Sequence, residues 1–502
     1  MPDRLIDFYQ QVIVEISARG SRPGYIMGLS LLVFFVLLMN ISQQAQSGSP
    51  NKYLLLFLIT LTSFMNPFMG AAVNIALPDI AAELGLNAIM MGWVTMAFLL
   101  ASVAVLLPVG KIADITGRKK IFIIGNIIVT IASAFCALAP TAGLLIAARL
   151  LQGFGGAMMF GTGTAMVTSA FPPNQRGRAL GINVSAVYLG LTLAPLLGGF
   201  LTDLLGWRSI FWLNVPFGLF VIPATLYAIK TEWHDARGES FDYRGSIVYM
   251  LSISMLMYGF SKLPDITAII LTIAGLAGII LFISMELKIE LPIMDMRLFT
   301  KNKTFAYSNL AALINYAATY AVTFLLSLYL QYIRGMKPSD AGMLLVMQPI
   351  LMTIVATFSG RLSDRIDPRL LSSLGMAIIV VGLTILAFIG ENSSSAFIII
   401  SLVILGAGFG LFSSPNTNAV MSSVEKRYLG VASATIGTMR LAGQMLSMAI
   451  ATLALHVFLG NNKIGPEYHT SFITATRIVF IIFAVLCAFG VFASMARGKK
   501  AA

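Results

Sequence analysis

The chain has 502 residues, 58% of them hydrophobic and only 11% charged, with a mean hydropathy of +0.87. Soluble globular chains carry about 25% charged residues, so water cannot be the only solvent, and a soluble enzyme, a disordered scaffold and a disulfide-stapled secreted domain are excluded. The 33 Lys and Arg against 21 Asp and Glu leave a net +12; in a soluble domain that surplus would suggest nucleic acid, but here it falls on the loops of a polytopic membrane protein, and no nucleic-acid partner is expected.

A spanning helix needs about 20 mostly apolar residues to cross about 30 Å of hydrocarbon, and only a helix satisfies its own backbone over such a run. Residues 1–51 form an N-terminal extension that does not fit this scheme: 25–41 is apolar but only 17 residues long, with Arg19 and Arg22 before it. An interfacial helix, an extra span and a true start at Met39 all stay open for it. After it, apolar runs between charged or Pro/Gly-rich breaks predict fourteen helices, over 53–77, 88–110, 121–140, 143–168, 179–201, 209–229, 245–261, 266–285, 305–333, 341–359, 370–389, 396–418, 430–458 and 470–495. They divide into a six-helix bundle over 52–229, a linker over 230–304 with two additional helices, a second six-helix bundle over 305–495 and a tail over 496–502. The polar connections are too short to fold as domains.

Lys and Arg concentrate in cytoplasmic loops. With the first helix starting in the cytoplasm, the loops and tail on that side hold 21 of them and the external loops 5. That bias predicts a multi-pass cell-membrane protein with both ends of the fourteen-helix body cytoplasmic.

Taken along the chain, the first motif is Gly110-Lys111-Ile112-Ala113-Asp114-Ile115-Thr116-Gly117-Arg118-Lys119 between the second and third helices. It recurs 250 residues later as Gly360-Arg361-Leu362-Ser363-Asp364-Arg365-Ile366-Asp367-Pro368-Arg369. Equivalent loops on one face are the trace of two homologous halves. Asp114 and Arg118 can bond each other, helix-end amides or the facing bundle; a solvated surface pair is the plainer reading. Arg149 lies inside the fourth helix, where a permanent cation is costly and marks function by default, although snorkelling to the interface stays open. Arg440 and Arg477 are similar, weaker cases. In the fifth helix Gly190, Ala194 and Gly198 recur every four residues, Gly181 extends the stripe and Pro195 invites a kink. Small residues on one face allow close helix approach, here expected against the opposite bundle; static packing is the alternative. Asn66, Met69, Asn74, Trp93, Tyr188, Asn315, Tyr316, Tyr320, Met347, Gln348 and Arg440 are the candidate cavity residues, making a largely neutral, aromatic and Met-rich pocket.

These motifs resemble the major facilitator superfamily, whose loop signature G-x-[LI]-[AS]-D-x-x-G-R-[KR] matches Gly110 to Lys119 nearly fully. The resemblance covers roughly 53–495 and narrows to the fourteen-helix drug:proton antiporters. Arg149-Leu150-Leu151-Gln152-Gly153 looks like that family's fourth-helix motif. Gly181, Gly190, Ala194, Pro195, Gly198 and Gly199 look like its fifth-helix antiporter motif, with Ala194 where Gly is usual. Trp207-Arg208 through Gly218 resembles the entry to its sixth helix, and Asn74-Ile75-Ala76-Leu77-Pro78 the end of its first. The resemblance implies two gates, one at Gly110, Asp114, Gly117, Arg118 and Lys119 and its copy at Gly360, Asp364 and Arg365, with Arg149 and Gln152 tuning proton transfer. Many members carry an acidic residue where this chain has Met69, and no Asp or Glu lies near any predicted helix centre. Coupling is therefore absent or runs through peripheral carboxylates such as Asp79, Asp114 or Asp203.

No G-x-x-x-x-G-K-[ST] phosphate loop occurs, His234, His456 and His469 have no metal spacing, and no nucleophile set converges. No enzyme, metal or cofactor is expected. The expectation is an all-helical secondary transporter, monomeric, exporting amphipathic small molecules or drugs by alternating access, in exchange for protons. The alternative is an exporter or facilitator of a native metabolite with weak or no proton coupling.

Overall fold

The computed structural model describes residues 52–290, 292–363, 365–425 and 429–497; the 1–51 extension, Asp364 and the end of the tail lie outside these. The N-terminal helices are α1 Lys52–Leu84, α2 Ala88–Thr116, α3 Arg118–Leu138, α4 Ala142–Ala170, α5 Pro173–Leu205 and α6 Arg208–Ala228. A hairpin follows, α7 Tyr243–Ser261 and α8 Ile266–Glu286. The C-terminal set is α9 Lys303–Leu328, α10 Pro338–Leu362 with a break at Val346, α11 Pro368–Leu386, α12 Ser395–Ser422, α13 Leu429–Leu459 and α14 His469–Met495. Among the described residues thirteen helices are long and apolar enough to cross a membrane. The fourteenth, α7, has only 19 residues and carries Tyr, Ser and Arg side chains along it.

Several predicted ends were short. The first helix runs past residue 77 to Leu84, the second past 110 to Thr116, and the third starts at Arg118. An apolar run stops where hydrocarbon stops, but the helix need not: 33 residues at about 1.5 Å each outreach a core of about 30 Å. Ends are set instead by caps, as where Asn87 Oδ1 accepts from Met90 N at 2.8 Å and Asn302 Oδ1 from Phe305 N at 2.9 Å.

Successive helices alternate in direction, so the bundle has a Lys52 end and a Leu84 end. Packing repeats across the two sets. α1 packs on α5 and α6 as α9 packs on α13 and α14, and α4 on α2 and α3 as α12 packs on α10 and α11. Between the sets α2 meets α13 and α5 meets α10. The repeat of 250 residues thus becomes a repeat of contacts. The α7–α8 hairpin lies outside both sets, against α2 and α13, with Tyr249 Oη donating to Val103 O at 2.9 Å.

Candidate functional site: two helix-end junctions and the cleft between them

At the Lys52 end the first gate motif is almost wholly helical, with Gly117 alone as the turn. Its φ of +120° suits glycine, and a Cβ there would strike the Glu232 side chain. Arg118 is buried. Its Nε donates to Asp114 Oδ1 at 2.7 Å and its Nη1 to Ser169 Oγ at 2.8 Å, and it pairs with Asp235 at 2.5 Å. Lys111 pairs with Glu239 at 2.6 Å. Glu232 accepts from the free amides of Lys119 and Lys120 at the start of α3, at 2.7 and 3.2 Å, where a carboxylate complements the helix dipole. Backbone bonds Arg118 N to Trp233 O and Ala236 N to Asp114 O complete the strap. Besides each other, the partners of Asp114 and Arg118 are therefore Ser169 of α4 and the connection after α6, not the facing bundle. Sequence reasoning passed over Glu232, Asp235 and Glu239 because a charged loop has no periodicity to reveal where it docks. In the second copy a Cβ on Gly360 would meet Ser414 of α12, Arg365 is exposed, and Asp364 lies outside the described residues.

At the Leu84 end the two helix sets are joined directly. Pro78 has no N–H, so the carbonyl four residues back, that of Asn74, loses its helical donor; Ser327 Oγ of α9 takes it at 2.9 Å. Gln331 Nε2, in a π-helical turn over Tyr329–Ile333, donates to Ile75 O at 2.9 Å. Ser339 Oγ donates to Asp203 Oδ2 at 2.7 Å. Asp79, near Asp203, is half-buried at the same junction. Both lie within the last turns of α1 and α5, not beyond them as the sequence suggested.

The fifth-helix stripe divides between two neighbours, which corrects the expected contact with the opposite bundle. Gly190 faces the Phe64 carbonyl and Gly198 faces Ala72, both on α1 of the same set. The opposite set is met by Gly199, against the Pro338 carbonyl, and by the Pro195 carbonyl, against Gly342. Ala194 is buried and Gly181 has open space around it. A period of four identifies a shared face, but not which helix covers it.

Arg149 is fully buried, so snorkelling is excluded. Its Nε donates to Val94 O at 3.1 Å, its Nη1 to Gln152 Oε1 at 2.5 Å, and its guanidinium lies 4.7 Å from the Phe98 ring centre. Gln152 and Asn214 both donate to Ser133 Oγ at 2.8 Å. Arg149 Nη2 has no partner, and no ion pair among the described residues includes this cation. Asn66 and Met69 line a small cavity beside this network with Gln152 and Asn214.

The candidate cavity residues scatter. Trp93 packs at a tilt against Tyr258 of α7, ring centres 5.4 Å apart, facing the hairpin rather than the cleft. Asn74 is satisfied inside its own set, Oδ1 accepting from Thr95 Oγ1 at 2.8 Å. Met347 packs in the apolar core, and Gln348 is buried with Oε1 unpartnered. Asn315 is fully buried with both amide atoms unpartnered. Tyr320 lies against Gly70 of α1. Arg477 is exposed, with Nε donating to Ile389 O, an interfacial position.

Three of the candidates, Tyr188, Tyr316 and Arg440, meet where the sets face each other at mid-length. Tyr188 Oη and Ser413 Oγ are 2.8 Å apart, Arg440 lies 4.5 Å over the Phe160 ring, and Tyr316 packs edge-on to Phe409 at 5.3 Å. Among the described residues, no hydrogen bond between the sets lies closer to the Lys52 end than Tyr188–Ser413. Below it Ile182 and Val184 of α5 and Ile354 and Phe358 of α10 are exposed. The result is a cleft sealed at the Leu84 end and, between α5 and α10, splayed toward the other.

Two paired helix sets around such a cleft match a known family along most of the chain: the sequence model described as Major Facilitator Superfamily matches residues 56–286 and 308–500. The chain belongs to the major facilitator superfamily. Within that superfamily it is 29% identical to the riboflavin transporter RibZ of Clostridioides difficile over 443 residues, covering 88% of this chain and 96% of that protein. It is 31% identical to the multidrug resistance protein Stp of Mycobacterium tuberculosis over 417 residues, covering 82% of this chain and 77% of Stp. Among solved structures it resembles a bacterial homologue of the human lysosomal transporter Spinster in an inward-facing, unoccupied conformation, with a TM-score of 0.65 at 18% identity, covering 90% of this chain and 98% of that one. The chain is thus a multi-pass membrane transporter of small molecules.

Proposed function

We propose that this facilitator exports amphipathic small molecules across the cell membrane by alternating access, as a monomer and in exchange for protons, without catalysing a chemical reaction. The observation that carries this reading is the asymmetry of the cleft, sealed through Asn74, Ile75 and Asp203 and splayed between α5 and α10. The Lys52 end is the cytoplasmic one, in line with the 21-to-5 distribution of Lys and Arg. The relatives named for multidrug resistance support efflux, and the riboflavin transporter supports a native metabolite as the second reading.

Coupling runs through the seal. Half-buried Asp79 and exposed Asp203 both stand at that junction, and a proton taken up by Asp79 would ease the repulsion between the two charges. Protonation favours the seal and release opens it, while Arg149 and Gln152 hold α2, α3, α4 and α6 in register above the cleft. The gate residues at Asp114, Arg118 and their copy work the other end.

Inverted membrane vesicles test the exchange. With an acid interior, the dyes fluorescein and rhodamine 123 are offered outside and accumulation is followed by fluorescence. Accumulation of either dye that vanishes when nigericin collapses the gradient is the expected result; equal accumulation with and without the gradient removes the exchange and leaves the facilitator. Orientation has its own test. Cys136 and Cys487 are buried, so added cysteines report alone. Lys120→Cys and Arg365→Cys should resist a membrane-impermeant maleimide in whole cells and react in inverted vesicles, with Asn461→Cys doing the reverse.

A further inference from the structure

We infer that the cleft selects aromatic solutes carrying an anionic oxygen group, a carboxylate, sulfonate or phosphate, which Arg440 receives among Tyr188, Tyr316, Phe160 and Ser413. This deepens the export reading and rests on it for the identity of the cleft as the solute's path.

Depth comes first. Arg440 stands eleven residues into α13, about 17 Å along the axis at 1.5 Å per residue, which places its charge in the middle of the bilayer. A guanidinium does not shed its proton, so its charge at that depth needs an answer. None of the ion pairs among the described residues includes it. Its neighbours are the Phe160 face and the Tyr316 hydroxyl, which supply partial negative character only. The second deep cation, Arg149, is likewise without a carboxylate and adds a field of the same sign. The described Asp and Glu residues all lie near helix ends or in connections. The cleft is therefore positive with no fixed counter-charge, and a solute anion supplies what the protein does not.

The surroundings fix the rest of the solute. Phe160 and Tyr188 come from the N-terminal set, Tyr316, Phe409 and Ser413 from the other. Their rings offer apolar faces on both walls, and Tyr188 Oη and Ser413 Oγ offer neutral hydrogen bonds. Because both sets contribute, an anion seated on Arg440 touches the two walls that move in alternating access. A lipophilic cation would meet the same aromatic faces but would face Arg440 unscreened.

Equilibrium binding tests this without transport. The full chain, purified in detergent, is titrated into fluorescein and into rhodamine 123, xanthene dyes of similar shape and opposite charge, with fluorescein fully ionised and binding read as fluorescence anisotropy. The expected result is binding of fluorescein at least about tenfold tighter than of rhodamine 123, a margin that shrinks as salt is added. Arg440→Gln should erase the margin, Arg440→Lys keep part of it, and Arg440→Glu turn it toward rhodamine 123, whose binding then shows that the variant is folded. Equal or tighter binding of rhodamine 123 by the unaltered chain, an unchanged margin in Arg440→Gln, or binding of neither dye overturns the inference. A chain that binds fluorescein selectively yet moves no dye in vesicles loses the export reading and keeps this one. A chain that moves dye but prefers the cation does the opposite.

Discussion

Asp114→Asn should lower transport about five- to thirtyfold while the amount of protein in the membrane stays unchanged. The Asp114 carboxylate accepts from both Nε and Nη2 of Arg118, each at 2.7 Å. Both bonds go to Oδ1, so an amide at that position keeps an acceptor for them but removes the negative charge that strengthens them. The charge of Arg118, whose side chain is 9% exposed, is then balanced only by Asp235, which is 63% exposed. Hydrogen bonds to charged groups contribute about 1.5–3 kcal/mol. Asp114 is itself 36% exposed, so solvent screening brings its share to about 1–2 kcal/mol. That weight acts on the conformation in which the turn is held by the strap after α6, and a change of about 1.4 kcal/mol moves a two-state balance tenfold. Asp114→Glu, which keeps the charge on a longer stem, should recover part of the activity. Uptake into inverted vesicles, normalised to immunoblotted protein, decides it. Full transport by Asp114→Asn would reduce the pair to ordinary surface.

Gly342→Val should block transport as strongly by acting on the other junction. A Cβ at residue 342 would run into the Pro195 carbonyl, and a backbone oxygen cannot swing aside as a long side chain can. Overpacking of this kind costs about 1–3 kcal/mol, all of it charged to the sealed Leu84 end and none to a state in which α5 and α10 separate there. The variant should therefore rest with that end open. A Tyr332→Cys reporter, half-buried beside Met91, should become reactive to impermeant maleimide in whole cells, while dye transport falls about tenfold or more. An unreactive reporter with normal transport would show that the α5–α10 contact is not part of the moving surface.

Most of the architecture was written in the hydropathy of the chain. A span in lipid has to be long, apolar and helical, so fourteen helices could be counted, and the two copies of the Gly-Asp-Arg turn showed that the count divides in half. The misreadings all concern which neighbour a residue faces. Gly190 and Gly199 sit on one helix and look alike in sequence, yet one touches α1 and the other α10. Trp93 was read as part of the cavity because aromatic residues suit cavities; α7, packed outside α2, takes it instead. Glu232, Asp235 and Glu239 drew no attention in the sequence, and the fold brings them to Arg118, Lys111 and the amides of α3. Arg149 was legible as costly and therefore meaningful, but its inward direction depends on Val94 O and Gln152, which only the packed bundle brings within reach.

The α7–α8 hairpin makes the two long seams of the molecule unequal. It leans on α2 and α13 together, so along that seam a wall of Tyr249, Phe282 and Met439 stands between the cleft and the surrounding acyl chains. The seam between α5 and α10 has no such wall, and toward the Lys52 end its Ile182, Val184, Ile354 and Phe358 are bare. A greasy solute dissolved in the leaflet on that side would thus meet bare apolar side chains along this flank and a screened seam along the other.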